Sequence, residues 1–230
     1  MTQCPHLFSL LDDPDEGLEE DRACAPAVRN TFSLRLLTLN IHKGFSVFNR
    51  RFVLTELREA IRAFSADVVC LQEVLGEHSG YSASQPTWPL QSQYEFLADT
   101  VWPQHAYGRN AVYTQGHHGN ALLSKHAIAA YQNHDISIAG PERRGLLHCV
   151  LSLPDLRPPV HLITVHLSLT EGHRQQQLQR LCAFIDAEIP PAAPLLVAGD
   201  FNDWRGRAHS VLLREAGLQE VFVQNTGRAA

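Results

Sequence analysis

Five positions in this 230-residue chain combine side-chain type and placement in a way that suits chemistry on an oxygen-rich, negatively charged substrate: Asn40, Glu73, His166, Asp200 and Asn202. Each stands at or just past the end of an apolar run. Leu195-Leu196-Val197-Ala198 leads through Gly199 into Asp200-Phe201-Asn202-Asp203-Trp204. Asp200 and Asn202 are two apart, so on an extended chain they point the same way and could hold a water or a metal ion against a substrate. Singly these residues carry little. A Glu at a strand end is usually solvated, a His after apolar residues is often a hydrogen-bonded core group, and Gly-Asp is an ordinary turn. As a set they say more, because strand ends on one edge of a sheet converge, and oxygen ligands with a histidine suit a hard cation and phosphate chemistry.

The elements that must position them follow from periodicity. Leu34 to Ile41 reads as a buried strand ending at Asn40 and His42, with Gly44 breaking it. Leu54, Leu57, Ile61 and Phe64, spaced by threes and fours with Arg58, Glu59 and Arg62 between them, form an amphipathic helix. Asp67 to Val74 is a second buried strand, carrying Glu73 near its end. A Ser, Gly and Pro-rich loop spans Gly76 to Pro89, and Tyr94 to Trp102 suits a short helix. A meander of short strands follows: Arg109 to Tyr113, Asn120 to Ser124 after a Gly-His-His-Gly turn, Ile128 to Ile138, Gly145 to Leu153, and Val160 to Leu167. Thr170 can cap a helix with the stripe Leu178, Leu181, Cys182, Ile185 and Ile189, ended by Pro190-Pro191. Arg207 to Ala216 is a last helix, stopped by Gly217, and Val221-Phe222-Val223 begins a further element.

Composition bounds the partners. With 44% hydrophobic and 19% charged residues, the chain suits one large domain rather than two. A net charge of -5 and a pI near 6.2 argue against strong sequence-independent binding to nucleic acid. Of five cysteines, Cys70, Cys149 and Cys182 lie in apolar stretches and read as reduced and buried, which predicts a cytoplasmic protein. No apolar run reaches the length of a transmembrane segment, and the first residues lack a basic region followed by a signal-peptide core, so the expectation is a protein neither exported nor anchored. Residues 1–31 concentrate Asp12, Asp13, Asp15, Glu16, Glu19, Glu20 and Asp21, and are expected to form a disordered acidic tail before a domain over 32–230.

The segments Leu39-Asn40-Ile41-His42-Lys43-Gly44, Leu71-Gln72-Glu73-Val74, Gly119-Asn120-Ala121-Leu122-Leu123-Ser124, Val165-His166-Leu167 and Gly199-Asp200-Phe201-Asn202-Asp203 resemble, in order and spacing, the endonuclease/exonuclease/phosphatase superfamily. Its members include deoxyribonuclease I, apurinic endonucleases, sphingomyelinases and inositol polyphosphate phosphatases, and the wording here is similar to its small bacterial YbhP-like branch. The resemblance covers roughly Phe32 to Phe222. It implies an α/β fold, a four-layer α/β sandwich of two mixed sheets between helices, and an Mg²⁺-dependent phosphoesterase in which Mn²⁺ can substitute. Glu73 would be the principal metal ligand, with Asn40 beside it. Asp200 would orient and deprotonate the attacking water, Asn202 would position it, and His166 would donate to the phosphate or the leaving oxygen. Asn120, in a matched motif, would line the site. Apart from the resemblance, Arg143-Arg144-Gly145 just before a strand could supply a phosphate contact through Arg144, although two exposed arginines are more often a solvated turn.

One departure from the family pattern stands out. Family members end with a strand carrying an Asp and then a Ser-Asp-His motif, and the sequence to Ala230 has neither. The expectation is a C-terminally truncated domain lacking its last strands, with an exposed apolar sheet edge. The alternative to a phosphodiester or phosphomonoester hydrolase is therefore a catalytically impaired remnant or a non-catalytic binding protein on the same fold. A two-metal metallophosphoesterase is set aside for want of an Asp-x-His pair. Nucleic acid, a phospholipid head group and a small phosphate ester all suit the site as substrates, and no specific protein partner is implied. His117-His118 reads as loop polarity and Trp204 as cover for the core edge.

Overall fold

The computed structural model describes residues 6–9, 32–46, 48, 50–154 and 156–221. In chain order they form β1 (His6–Ser9), β2 (Leu36–Asn40), a 3-10 turn (His42–Gly44), α1 (Leu54–Phe64), β3 (Val68–His78), α2 (Ser79–Ser84), α3 (Gln93–Ala98), β4 (Gln104–Tyr113), β5 (Gly116–Ser124), β6 (Ala127–Asp135), β7 (Gly145–Ser152), β8 (Val160–His166), α4 (Glu171–Glu188), β9 (Leu195–Asp200), α5 (Arg207–Ala216) and β10 (Gln219–Glu220).

Two mixed sheets result. One runs β2-β3-β5-β4, with β2 and β3 parallel and the other pairs antiparallel. The other runs β10-β1-β9-β8-β7-β6, with β8 and β9 parallel. Period-two alternation decides what each face buries. Val69 and Leu71 of β3, with Ala121 and Leu123 of β5, pack outward against Leu54 and Ile61 of α1 and Leu97 of α3. Ile163 and Val165 of β8, with Leu195 and Val197 of β9, pack outward against Leu178, Leu181 and Ile185 of α4 and Leu212 of α5. The residues between these face inward: Val68, Cys70 and Leu122 of the first sheet meet Leu147, Cys149, Leu162 and Ala198 of the second. Helix, sheet, sheet, helix is the four-layer arrangement that the resemblance implies.

The inward rows all change character toward one end. Along β2 the row is Leu36, Thr38, Asn40; along β3, Val68, Cys70, Gln72; along β8, Leu162, Thr164, His166; along β9, Leu196, Ala198, Asp200. The core is thus apolar at one end and polar at the C-terminal ends of four strands, and Gln72 Nε2 donates to Thr38 Oγ1 at 3.3 Å within it.

Several local expectations change. Within the stretch expected to be a loose tail, His6–Ser9 is a strand that pairs antiparallel with β9, Leu7 opposite Ala198, and β10 pairs with β1 in turn, so β9 lies inside its sheet. The rest of the acidic stretch lies outside the described residues, as do Phe222 and Val223. The strand carrying Glu73 continues to His78, and the loop after it contains α2. Thr170 precedes α4 without a side-chain capping bond. Phe64, at the end of the α1 stripe, is exposed, as is Trp204, so the core edge is covered by the fully buried Phe201 instead.

On the outer face of the second sheet, His148 of β7 stacks on His161 of β8, with their ring nitrogens 2.9 Å apart. Burial, then the neighbouring His161 and His134, push His148 down to about 4 from its ordinary 6.5. The unfolded chain therefore takes up the proton first as pH falls, and the native state loses stability between about 6.5 and about 4. Urea midpoints measured across that window should fall with pH, and the decline should be shallower in His148→Gln.

Candidate active site

Asn40 leaves the end of β2 between two carboxylates. Its Nδ2 donates to Glu73 Oε1 of β3 at 3.3 Å and to Asp200 Oδ2 of β9 at 3.1 Å, bridging the two sheets. Its Oδ1 accepts the His42 N–H at 3.0 Å, which fixes the amide orientation. Glu73 owes its place to an irregularity. By alternation it would follow Leu71 toward the helices, but the β3–β5 register shifts between Leu71 and Val74 and Glu73 adopts φ 55. That bulge turns its carboxylate into the inter-sheet cleft, where His42 Nδ1 lies 3.7 Å and Lys43 Nζ 3.8 Å from Oε2. His42, Lys43, Glu73 and Asn202 account for four of the seven described non-glycine residues with positive φ. Strained backbone is thus concentrated where the polar groups meet.

Asp200 ends β9 next to His166, the last residue of β8, and the His166 Nε2 to Asp200 Oδ2 distance is 3.7 Å. Gly199 makes this pairing possible. With φ 154, it lies so close to β8 that a Cβ there would stand 2.0 Å from the Val165 carbonyl oxygen. Asn202 folds back under Asp200: its N–H donates to Asp200 Oδ1 at 3.1 Å, and its Nδ2 donates to the Leu167 carbonyl at 2.8 Å. Both Asp200 and Asn202 are buried, as is Asp203, whose carboxylate accepts the Ala208 N–H and seats the start of α5.

Electrostatics hold these groups in distinct states. Burial would raise the Glu73 pKa, but His166 when protonated, the Lys43 ammonium, the Asn40 amide and His42 outweigh it, leaving Glu73 below the ordinary carboxylate value. Burial, then the Arg144 guanidinium, lowers His166 to about 4 against the opposing pull of Asp200, Glu73 and Glu142. At neutral pH the site therefore pairs an ionised Glu73 with a neutral imidazole.

The two remaining sequence-derived candidates are placed differently. Asn120 is only 1% exposed, and its Nδ2 donates to the Gly145 and Thr164 carbonyls of the opposite sheet at 3.0 and 3.3 Å, so it ties the sheets together under the site. Arg144 bonds Glu142 Oε1 at 2.7 Å, Glu142 in turn accepts from Ser168, and its charge is felt at His166.

His118, read from sequence as loop polarity, belongs with the site. Its pKa is pushed down to about 4 by burial and then by Lys43, while Glu73 pulls it up and Arg144 and His166 also act on it. The signal was available: His118 is two residues before Asn120 on β5, hence on the same inward row. Lys43 was also missed as an individual residue, because nothing in a His-Lys-Gly turn says that the ammonium folds back over Glu73.

This fold and strand-end site define a class. The chain belongs to the Endonuclease/Exonuclease/phosphatase family, which it matches over residues 37–228. It is 52% identical over 205 residues to the uncharacterized protein YbhP of Escherichia coli strain K12, covering 89% of this chain and 81% of that one. Among solved structures it is similar to D. rerio TDP2 complexed with single strand DNA product (TM-score 0.62, 20% identity, 85% of this chain and 71% of that chain). It is also similar to the mannosyl-6-phosphatase Bt3783 of Bacteroides thetaiotaomicron (TM-score 0.57, 13% identity, 79% and 70% of the two chains).

The Asn40 bridge has a measurable consequence. Asn40→Ala leaves two carboxylates facing each other without their shared donor, and should cost about 1–3 kcal/mol in urea unfolding. In a Glu73→Gln background, where one of the charges is gone, the same substitution should cost measurably less.

Proposed function

We propose that this chain is a phosphoesterase that hydrolyses a phosphodiester or phosphomonoester by attack of water, with Mg²⁺ as its cation and Mn²⁺ as a working substitute. The observation that carries this reading is the Asn40 amide held between Glu73 and Asp200, with His166 beside Asp200. Carboxylate oxygens are hard donors, and Mg²⁺ binds through one or two of them while keeping several waters. Among the described residues no set of three or more His, Cys, Asp or Glu side chains is arranged to hold an ion. Glu73 would hold the cation, which when bound neutralises charge on a phosphate oxygen. Asn40 stands beside it with Nδ2 toward both carboxylates and Oδ1 engaged by the His42 N–H, and so orients the Glu73 ligand.

The protein groups divide the remaining work. Asp200, accepting from Asn40 and from the Asn202 N–H, has a carboxylate oxygen oriented to take a proton from water. Asn202 positions that water. Neutral His166 donates to a phosphate oxygen or to the leaving group, and Lys43 and Arg144 offset phosphate charge. Asn120 acts beneath the site as the tie between sheets.

The substrate is a phosphate ester. TDP2, complexed with single strand DNA product, and a mannosyl-6-phosphatase bracket the range that similar folds handle, and nucleic acid, phospholipid head groups and small esters share the phosphate chemistry. We place the protein in the cytoplasm, a reading supported by the free, buried thiols of Cys70, Cys149 and Cys182. Among the described residues no helix is long and apolar enough to cross a membrane.

Purified protein assayed on bis-p-nitrophenyl phosphate should turn over with Mg²⁺ and stop with chelator. Asp200→Asn should lower kcat by about 10²–10⁴-fold with the fold intact by circular dichroism, and Glu73→Ala should abolish the Mg²⁺ response. Turnover in wild type no greater than in Glu73→Ala would refute the enzyme reading.

A further inference from the structure

A groove of about 1020 Å³ opens beside the strand-end site, walled by the end of β3, the α2–α3 connection and the β4–β5 hairpin. It begins one ring away from the catalytic groups. Tyr113, in its wall, lies 5.8 Å from His118, which faces Glu73, and 5.7 Å from His78, which also lines the groove. Glu77, another lining residue, is four positions beyond Glu73 on β3, roughly 13 Å along the strand.

Its lining carries negative charge: among the described residues it includes the carboxylates Glu77 and Glu95 and no lysine or arginine. Glu95 is locked in place by Ser92, whose N–H and hydroxyl donate to its Oε2 at 3.0 and 2.6 Å. These bonds hold it below the ordinary carboxylate value, and the groove histidines His78 and His117 are lowered by burial, so they add no positive charge at neutral pH. Aromatic faces complete the lining. Trp88 is braced by stacking on Phe52 at 5.0 Å, and Tyr94 by stacking on Tyr107 at 4.7 Å, which fixes rings whose exposed surfaces border the groove.

Lys43 and Arg109 stand close enough to act on His78 and His117 but do not line the groove, so a nucleic-acid strand threaded here would bring further phosphates against the carboxylates Glu77 and Glu95. Carboxylates with braced indole and phenol rings instead recognise an ammonium group, by charge and by cation–π attraction. We propose that this groove binds a positively charged, ammonium-bearing arm of the phosphate-ester substrate, while Lys43 and Arg144 face its phosphate. The assignment rests on the phosphoesterase reading for the identity of the other half of the ligand. It narrows the substrate to an ester whose arm reaches past the scissile phosphate and carries positive charge.

The test has a binding arm that needs no turnover. Calorimetric titration at low salt with benzyltrimethylammonium and with benzenesulfonate should show tighter binding of the cation, weakened about fivefold by Glu77→Gln. Equal affinity for the two probes, or a cation affinity unchanged in both Glu77→Gln and Trp88→Ala, overturns the proposal. In the kinetic arm, aryl phosphodiesters carrying trimethylammonium, neutral or sulfonate arms of matched length are compared by kcat/KM. The order should be cationic, neutral, anionic in wild type, and the preference should invert in Glu77→Lys. Cation binding that responds to Glu77 without any hydrolysis upholds the groove and counts against the phosphoesterase. Hydrolysis without arm preference does the reverse.

Discussion

One side-chain amide holds this molecule's polar end together. Glu73 and Asp200 come from different sheets and carry the same charge, and both sit largely out of water, where their repulsion is weakly screened. The Asn40 amide gives each a hydrogen and so makes their approach favourable. His42 then orients the amide, Lys43 balances Glu73, and His166 closes on Asp200. Remove the amide and each of these arrangements loses its reference point, because this bridge, with the Asn120 tie beneath it, joins the two sheets at this end.

The apolar packing explains why the bridge is placed where it is. Four inward rows begin with Leu or Val and end with Asn40, Gln72, His166 and Asp200, so the two sheets meet through apolar side chains at one end and through polar ones at the other. Burial does the rest of the chemical tuning. It keeps His166 neutral and withdraws His118, while Lys43 and the amide keep Glu73 charged. A single gradient along the core thus produces both the stability of the sandwich and the division of protonation states at its mouth.

Much of this was readable from residue order. The run from Leu195 to Ala198, the Leu34 to Ile41 stretch and the helix stripe from Leu178 to Ile189 place their elements by periodicity alone, and strand-end polarity marks Asn40, His166 and Asp200. What escaped depended on departures from periodicity or on distant partners. Glu73 itself was marked by its place near a strand end, but the bulge that turns it into the cleft is encoded by no alternation pattern. His6–Ser9 joins β9 through backbone pairing with residues far along the chain, so local composition, dominated by the acidic stretch that follows, gave no hint of it. Trp204, expected to cover the core edge, is exposed and Phe201 is buried instead, because the strand ends at Asp200 and irregular chain runs between the two rings. Lys43 was hidden inside a turn whose left-handed backbone brings its ammonium back over Glu73.

The bridge from Asn40 to Asp200 spans 160 residues of sequence, and β1 is paired with β9 from still farther away. Closing contacts this distant costs the entropy of a very long loop. During synthesis β2 and β3 emerge long before Asp200 exists, so the Asn40 amide then has only one of the two carboxylates that it joins in the folded chain. The strand-end site is thus a product of completed folding: it comes into being only when the second sheet closes on the first, and the residues of the first sheet alone hold only half of it.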